Sequence, residues 1–207
     1  LKTVVVERDA LGGVCTNWGC IPSKALLRNA EVLALCQRGR EFGFSFDNFQ
    51  ADYAAAQARS RRVVDRLVKG VGFLLKKNNV AQVSGTARLA SARRIEVAPG
   101  GQVLEADNVI VATGARPRGI PGLPLDGVNV ITYREALELT QAPPSVVIVG
   151  AGPIGVEFAY LWHVYGSRVT LVEMLPHVLP NEDEETSAEL EKSLARQGIT
   201  CLTGARV

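Results

Sequence analysis

Ser145-Val146-Val147-Ile148-Val149-Gly150-Ala151-Gly152-Pro153-Ile154-Gly155-Val156-Glu157 reads as an apolar strand, a glycine turn and the opening of a helix. So continuous an apolar run is expected of a parallel strand covered on both faces. A G-x-G-x-x-G pattern alone says little, so its context decides. Here a strand precedes it, a helix follows, and an acid, Glu173, lies about twenty residues on, at the tip of a second strand over 168–173. Gly150 permits the sharp turn, Gly152 lets backbone approach a pyrophosphate, and Gly155 allows helix and strand to pack closely. The pyrophosphate would rest on the helix start at Pro153 and Ile154, where N–H groups have no helical partner and the helix dipole favours an anion. The N–H that Pro153 lacks is one that a helix start leaves unpaired in any case. Glu173 can accept hydrogen bonds from ribose hydroxyls and would repel a 2′-phosphate. No arginine follows to receive one, so the site reads as NAD rather than NADP. Glu157, in the first turns of the helix, and Val207, at the chain's end, complete the residues assigned to that nucleotide.

Outward from this stretch the pattern continues as a helix to about residue 165, the strand 168–173, a helix over 182–197 and a strand over 199–202. That β-α-β-α-β order is one mononucleotide-binding half of a doubly wound sheet. The beginning of the chain repeats the theme. Val4-Val5-Val6-Glu7 has the shape of Val169-Thr170-Leu171-Val172-Glu173, an apolar strand ending in an acid, and Glu7 is read as the ribose-binding acid of a second dinucleotide site. Helices are expected over 22–38 and 51–77, short strands over 81–90, 93–98 and 102–105, and a short helix over 135–139. Residues 108–112, Asn-Val-Ile-Val-Ala, read as a buried parallel strand that Thr113-Gly114 ends abruptly. The Pro- and Gly-rich residues 116–124 read as a linker. The expected fold class is therefore α/β, with two Rossmann-like dinucleotide-binding domains over 1–115 and 116–207. Because the chain opens directly on a strand and stops just after one, it is read as an internal fragment, the first domain incomplete at its start and the second at its end.

The second informative stretch is Gly12-Gly13-Val14-Cys15-Thr16-Asn17-Trp18-Gly19-Cys20-Ile21-Pro22-Ser23-Lys24. Pro22 suits a first helical turn, which puts Cys20 at a helix N-terminus, where the macrodipole favours thiolate over thiol. A thiolate beside a second thiol is the arrangement for reversible disulfide exchange. A zinc site would need two more ligands, and Cys36, Cys201, His163 and His177 form no second cluster at ligand spacing. A structural staple across so short a loop would remove little chain entropy. Cys36 and Cys201 read as small apolar filler. The glycine brackets and the helix start favour exchange chemistry for Cys15 and Cys20, and no metal is expected.

Composition narrows the classes. Formal net charge is +2, which argues against nucleic acid as the main partner, and no apolar run reaches the length of a membrane span. The basic run Arg59, Arg61, Arg62, Arg66 and Lys69 reads as the solvated face of a helix rather than a phosphate site.

Residues 12–27, taken with Ala112-Thr113-Gly114 and the 150–157 fingerprint, resemble the flavin-dependent pyridine nucleotide–disulfide oxidoreductases. Within that family, Gly19-Cys20-Ile21-Pro22-Ser23-Lys24-Ala25-Leu26-Leu27 is most similar to the branch that oxidises dihydrolipoamide, although Trp18 stands where valine is more usual. The resemblance implies FAD in the first domain and NAD in the second. Electrons would pass from dihydrolipoamide, carried on the lipoyl domain of an acyltransferase, through a Cys15–Cys20 disulfide and FAD to NAD⁺. Cys15 would exchange with substrate and Cys20 would face the flavin. Glu7 would hold the adenosine ribose of FAD, while Gly13, Gly85, Thr113 and Gly114 would approach the flavin nucleotide through backbone. Lys24 and Glu157 would form an ion pair beside the flavin ring; the plainer reading makes them a solvated lysine and a helix-start glutamate. A His–Glu base from the other subunit of a homodimer would lie outside these residues, so the fragment alone is expected to be inactive. The compartment implied is the cytoplasm, or an organelle matrix in a eukaryote. Two rivals stay open: another FAD-dependent disulfide or mercuric-type reductase, and a nucleotide-binding redox sensor without turnover.

Overall fold

The computed structural model describes residues 1–207. In chain order the elements are β1 (Val4–Glu7), α1 (Gly13–Trp18), α2 (Cys20–Gln37), a 3₁₀ turn (Gly39–Phe42), α3 (Tyr53–Lys77), β2 (Ala81–Ser84), β3 (Thr86–Leu89), β4 (Arg94–Ala98), β5 (Gln102–Glu105), α4 (Tyr133–Ala136), β6 (Ser145–Val149), α5 (Pro153–Val164), β7 (Arg168–Val172), α6 (Glu184–Gln197) and β8 (Thr200–Leu202). They form two compact units. One comprises Leu1–Pro22 and Arg61–Thr132, the other Ser23–Ser60 and Tyr133–Val207. The α/β class read from the sequence is the observed one.

In the first unit β1 and β2 pair in parallel, from Val4 opposite Ala81 to Glu7 opposite Ser84. The single strand expected over 81–90 is divided at Gly85. A β-carbon there would lie 2.6 Å from Val97 Cγ1 and 2.7 Å from the Ala98 carbonyl oxygen, so only glycine lets the chain pass so close to β4. Beyond it, β3, β4 and β5 make an antiparallel sheet with β4 in the middle, and Ile95 and Val97 of β4 are buried. Residues 108–112 carry no strand, contrary to their apolar pattern. Ile110 is 90% and Val111 67% exposed. A strand is held by its hydrogen-bond ladder, and apolarity without a ladder partner does not make one.

The second unit is built on a parallel sheet of order β6-β7-β8, with Ser145 opposite Arg168 and Thr170 opposite Thr200. Central β7 carries the core residues Val169 and Leu171. Phe158, Ala159, Leu161 and Trp162 of α5 are buried with them, as are Leu26, Ala30 and Leu33 of α2, which recur at helical spacing. β6 is an edge strand whose Val147 is 63% exposed, so the double coverage expected from its sequence is not realised.

Local signals explain most boundaries in this unit. α6 starts two residues later than expected because Asp183 is its N-cap, its carboxylate accepting from the Glu185 and Thr186 N–H groups. Polar contacts also tie the α3 segment Tyr53–Ser60 into the unit. Trp162 Nε1 donates to Tyr53 Oη at 3.1 Å and Gln57 Nε2 donates to the Leu137 carbonyl at 3.2 Å, and burial pushes the Tyr53 hydroxyl above its ordinary pKa. No helix is long and apolar enough to cross a membrane.

Leu171→Ala, at a side chain with 0% exposure, is expected to cost roughly 2–5 kcal/mol in urea unfolding. Leu202→Ala, on exposed β8, is expected to leave the midpoint nearly unchanged.

Candidate functional site

The glycine turn between β6 and α5 has a separate physical reason for each glycine. Gly150 sits at φ 105°, a left-handed conformation that side chains resist, and its N–H closes the β6–β7 ladder onto the Val172 carbonyl at 2.8 Å. A β-carbon at Gly152 would meet nothing within 4 Å, whereas one at Gly155 would lie 2.0 Å from the Gly150 carbonyl oxygen. Gly152 is the N-cap of α5 with no side-chain cap, and Pro153 follows it. The first N–H groups of α5 are therefore left to an outside acceptor, with open space in front of them and the helix dipole favouring an anion. Ile154 is exposed beside that space.

Glu173 directly follows β7 and is 9% exposed. One carboxylate oxygen accepts from the Ala151 N–H at 2.8 Å and the other from the Leu175 N–H at 2.9 Å. Its backbone is held as firmly, donating to the Leu202 carbonyl and accepting from Ala205 N–H. The acid thus braces the glycine turn from within, and each oxygen keeps a lone pair for a further donor. Val207 is exposed, away from secondary structure.

Glu157 lies on α5, and its Oε1 accepts from Lys24 Nζ of α2 at 2.5 Å. The side chains are 26% and 61% exposed. An ion pair this open contributes at most about 1 kcal/mol to stability, so its significance is that it fixes where a positive charge stands.

The cysteine segment is more ordered than the loop expected from sequence. Cys15 lies on α1, a helix of six residues. It ends at Gly19, whose backbone leaves the helical region at φ −134°, ψ −116° and where a β-carbon would crowd the Val14 carbonyl oxygen and Cys15 Cα at 3.1 Å; α2 begins at Cys20. The two sulfurs form a disulfide with Cα atoms 4.7 Å apart, and both residues are exposed. Cys20 stands at the helix start, as its sequence context implied. Cys36 and Cys201 are free and half-buried; burial, and secondarily Glu191, pushes the Cys201 thiol up.

Two residues that hold this segment in place, Asn17 within it and Arg61 of α3, were not assigned to it from sequence. Asn17, 8% exposed, donates through Nδ2 to the Leu11 and Gly13 carbonyls, both at 2.9 Å. Its own carbonyl accepts from Arg61 Nη2 at 2.7 Å. Arg61, half-buried, is therefore not part of a solvated face, whereas Arg59 stays exposed while donating to the Ala25 carbonyl and Asn29 Oδ1. Arg59, Arg62, Arg66 and Lys69 of that run are exposed, as its composition suggested. A buried asparagine inside a helix is the available signal, because such a side chain competes with the backbone unless it has a fixed partner.

The remaining assigned residues are placed as follows. Glu7 ends β1, its Oε1 accepting from Asp9 N–H at 2.8 Å and its carbonyl from Gly85 N–H at 2.9 Å. Gly13 opens α1 with nothing within 4 Å of a β-carbon, and Thr113 and Gly114 lie on an exposed segment without regular structure. His163 and His177 are half-buried, and the His177 ring donates through Nδ1 to the Val178 carbonyl at 3.1 Å.

A family model described as pyridine nucleotide-disulphide oxidoreductase matches residues 1–207. Curated relatives named dihydrolipoyl dehydrogenase include that of Chlorobaculum tepidum, 49% identical over 210 residues that cover 100% of this chain and 45% of the relative. That of Bacillus subtilis is 41% identical over 218 residues, covering 100% of this chain and 46% of the relative. Among solved structures, LpdA from Mycobacterium tuberculosis superposes with a TM-score of 0.89 at 29% identity, covering 99% of this chain and 46% of that one. The HOCl-induced flavoprotein disulfide reductase RclA from Escherichia coli does so with a TM-score of 0.84 at 26% identity, covering 100% of this chain and 44% of that one. The chain spans less than half the length of the relatives it matches.

Gly155→Ala places a methyl group against the Gly150 carbonyl, and the expected result is a loss of roughly 3 kcal/mol or more of stability, read by urea unfolding. Glu173→Gln turns one of two acceptors into a donor facing an N–H group. That change is expected to cost roughly 1–3 kcal/mol in the same measurement.

Proposed function

Since the chain belongs to the pyridine nucleotide-disulphide oxidoreductase family, we propose that the whole protein is an NAD-dependent dihydrolipoyl dehydrogenase. In this reading the Cys15–Cys20 disulfide takes an electron pair from dihydrolipoamide on an acyltransferase lipoyl domain. The observation that carries it is the disulfide itself, exposed and with one sulfur at the start of α2.

The chemistry of the chain's own residues follows from that placement. A substrate thiolate attacks Cys15 Sγ, the S–S bond breaks, and Cys20 leaves as a thiolate, which the N-terminus of α2 favours. The second substrate thiol then attacks the mixed disulfide, releasing the Cys15 thiol and the cyclic disulfide product. The protein now holds the electron pair as its dithiol. The substrate's proton goes to a base that we assign to a His–Glu pair of the other subunit in a homodimer. When bound, FAD supplies the two-electron relay between that dithiol and NAD⁺.

The residues present fit both groups. For NAD, the uncapped start of α5 and the open space at Gly152 suit a pyrophosphate, and Glu173 keeps acceptor capacity for ribose hydroxyls. Pro153, Ile154, Glu157 and Val207 complete that assignment. For FAD, Gly13 and Gly114 hold positive φ with no packing neighbour closer than 3.9 Å to a β-carbon, so nothing internal bars a close approach. We assign Glu7 to its adenosine ribose, Gly85, Thr113 and Gly114 to backbone contacts, and Lys24, fixed by Glu157, to the flavin ring. The two nucleotide-binding domains are assigned to residues 1–115 and 116–207. A protein of this kind works in the cytoplasm or an organelle matrix.

The test is to mix the full-length, flavin-loaded protein anaerobically with dihydrolipoamide and NAD⁺, following flavin absorbance and NADH together. Both signals are expected, with NADP⁺ a poor substitute. Flavin that ignores dihydrolipoamide but is reduced by another dithiol would point to a different disulfide reductase. In the same assay Cys15→Ser and Cys20→Ser are expected to reduce dithiol-driven NADH formation to background. Lys24→Met should slow flavin reduction on the order of 100-fold, as loss of a preorganised charge at a reacting group does.

A further inference from the structure

We propose that Arg61 is a positioning residue for the Cys15–Cys20 disulfide, acting through Asn17 to hold the segment in ring-closing geometry once the sulfurs are reduced. The inference rests on the redox reading above and adds a residue to it.

Reduction breaks the covalent link between residues 15 and 20, and α1 has only six residues, far too few to persist as a helix by itself. Polar contacts remain to hold it. The Asn17 amide spends both N–H groups on the Leu11 and Gly13 carbonyls, pinning the helix to the turn that precedes it. The Asn17 carbonyl, at the C-terminal end of α1, accepts from the Arg61 guanidinium at 2.7 Å. That bond is charge-assisted, and its cation stands where the helix dipole is negative. None of these three bonds uses a sulfur atom, so all of them outlast the opening of the disulfide. A dithiol held in this way loses little freedom when it closes again, and the entropy cost of closure sets how strongly the disulfide is favoured.

A dithiothreitol molecule closes its own S–S bond, and the two electrons and two protons it gives up convert the Cys15–Cys20 disulfide into two thiols. A purely electrostatic role for Arg61 predicts the opposite sign, because a cation that stabilised thiolate would favour the reduced state.

The full-length, flavin-loaded protein is equilibrated in buffers of reduced and oxidised dithiothreitol, thiols are trapped by alkylation, and the disulfide fraction is read by mass. Arg61→Gln is expected to lower the disulfide-to-dithiol ratio about tenfold, a potential about 30 mV more oxidising. Arg61→Lys, which keeps the charge but loses the planar fork, should show a smaller shift of the same sign, and it carries the test if the glutamine variant does not fold. An unchanged ratio, or a shift toward disulfide, overturns the proposal. A wild-type disulfide that exchanges with dithiothreitol at no ratio sinks the redox reading itself, and that outcome is visible before any substitution is made.

Discussion

No side chain can be accommodated at residue 155, where a β-carbon would lie 2.0 Å from the Gly150 carbonyl oxygen and 3.3 Å from Ile148 Cγ2. The start of α5 is therefore pressed directly onto the end of β6. With the helix fixed at that point, Phe158, Leu161 and Trp162 are delivered to the buried side of the sheet, against a β7 whose Leu171 is fully enclosed. The same approach leaves the opening turn of α5 uncapped and facing outward. Packing and ligand readiness are two results of one close contact.

The cysteine segment is organised on different terms. It has little core of its own: of its thirteen residues 12–24, only Asn17 and Pro22 are buried. Its geometry comes from directed polar contacts, the asparagine amide to two carbonyls and the arginine to a third. Such bonds contribute roughly 1 kcal/mol each, but they are specific in direction, which suits the exchange proposed for the two sulfur atoms.

The second unit was the more legible of the two in sequence. Its strands and helices alternate at the lengths their periodicity implied, because each parallel strand found a neighbour and each helix an apolar face to bury. The miss at residues 108–112 has the opposite cause: the pattern was strand-like, but no ladder forms there. α1 was invisible because six residues that include a glycine and an asparagine carry no helical periodicity. At the site, the glycine turn and the cysteine pair were plain from local spacing. The contact of Lys24 with Glu157 spans 133 positions, and only family resemblance pointed to it. Arg61 was concealed by its neighbours, since a run of basic residues on one helix looks solvated whether or not one of them turns inward.

Glu173, which we assign to a ribose, is also held in place by folding. Its carboxylate anchors Ala151 and Leu175 through their N–H groups, whatever it offers to a ribose. The simplest route by which such a turn could evolve to accept a 2′-phosphate, exchange of the acid for arginine, would remove both acceptors in one step. The lineage would have to pass through a weakened turn or first acquire replacement partners for two amides. Under the proposed assignment of Glu173 to a ribose, cofactor preference at this position is thus guarded by stability, and a change of preference is at least a two-mutation path.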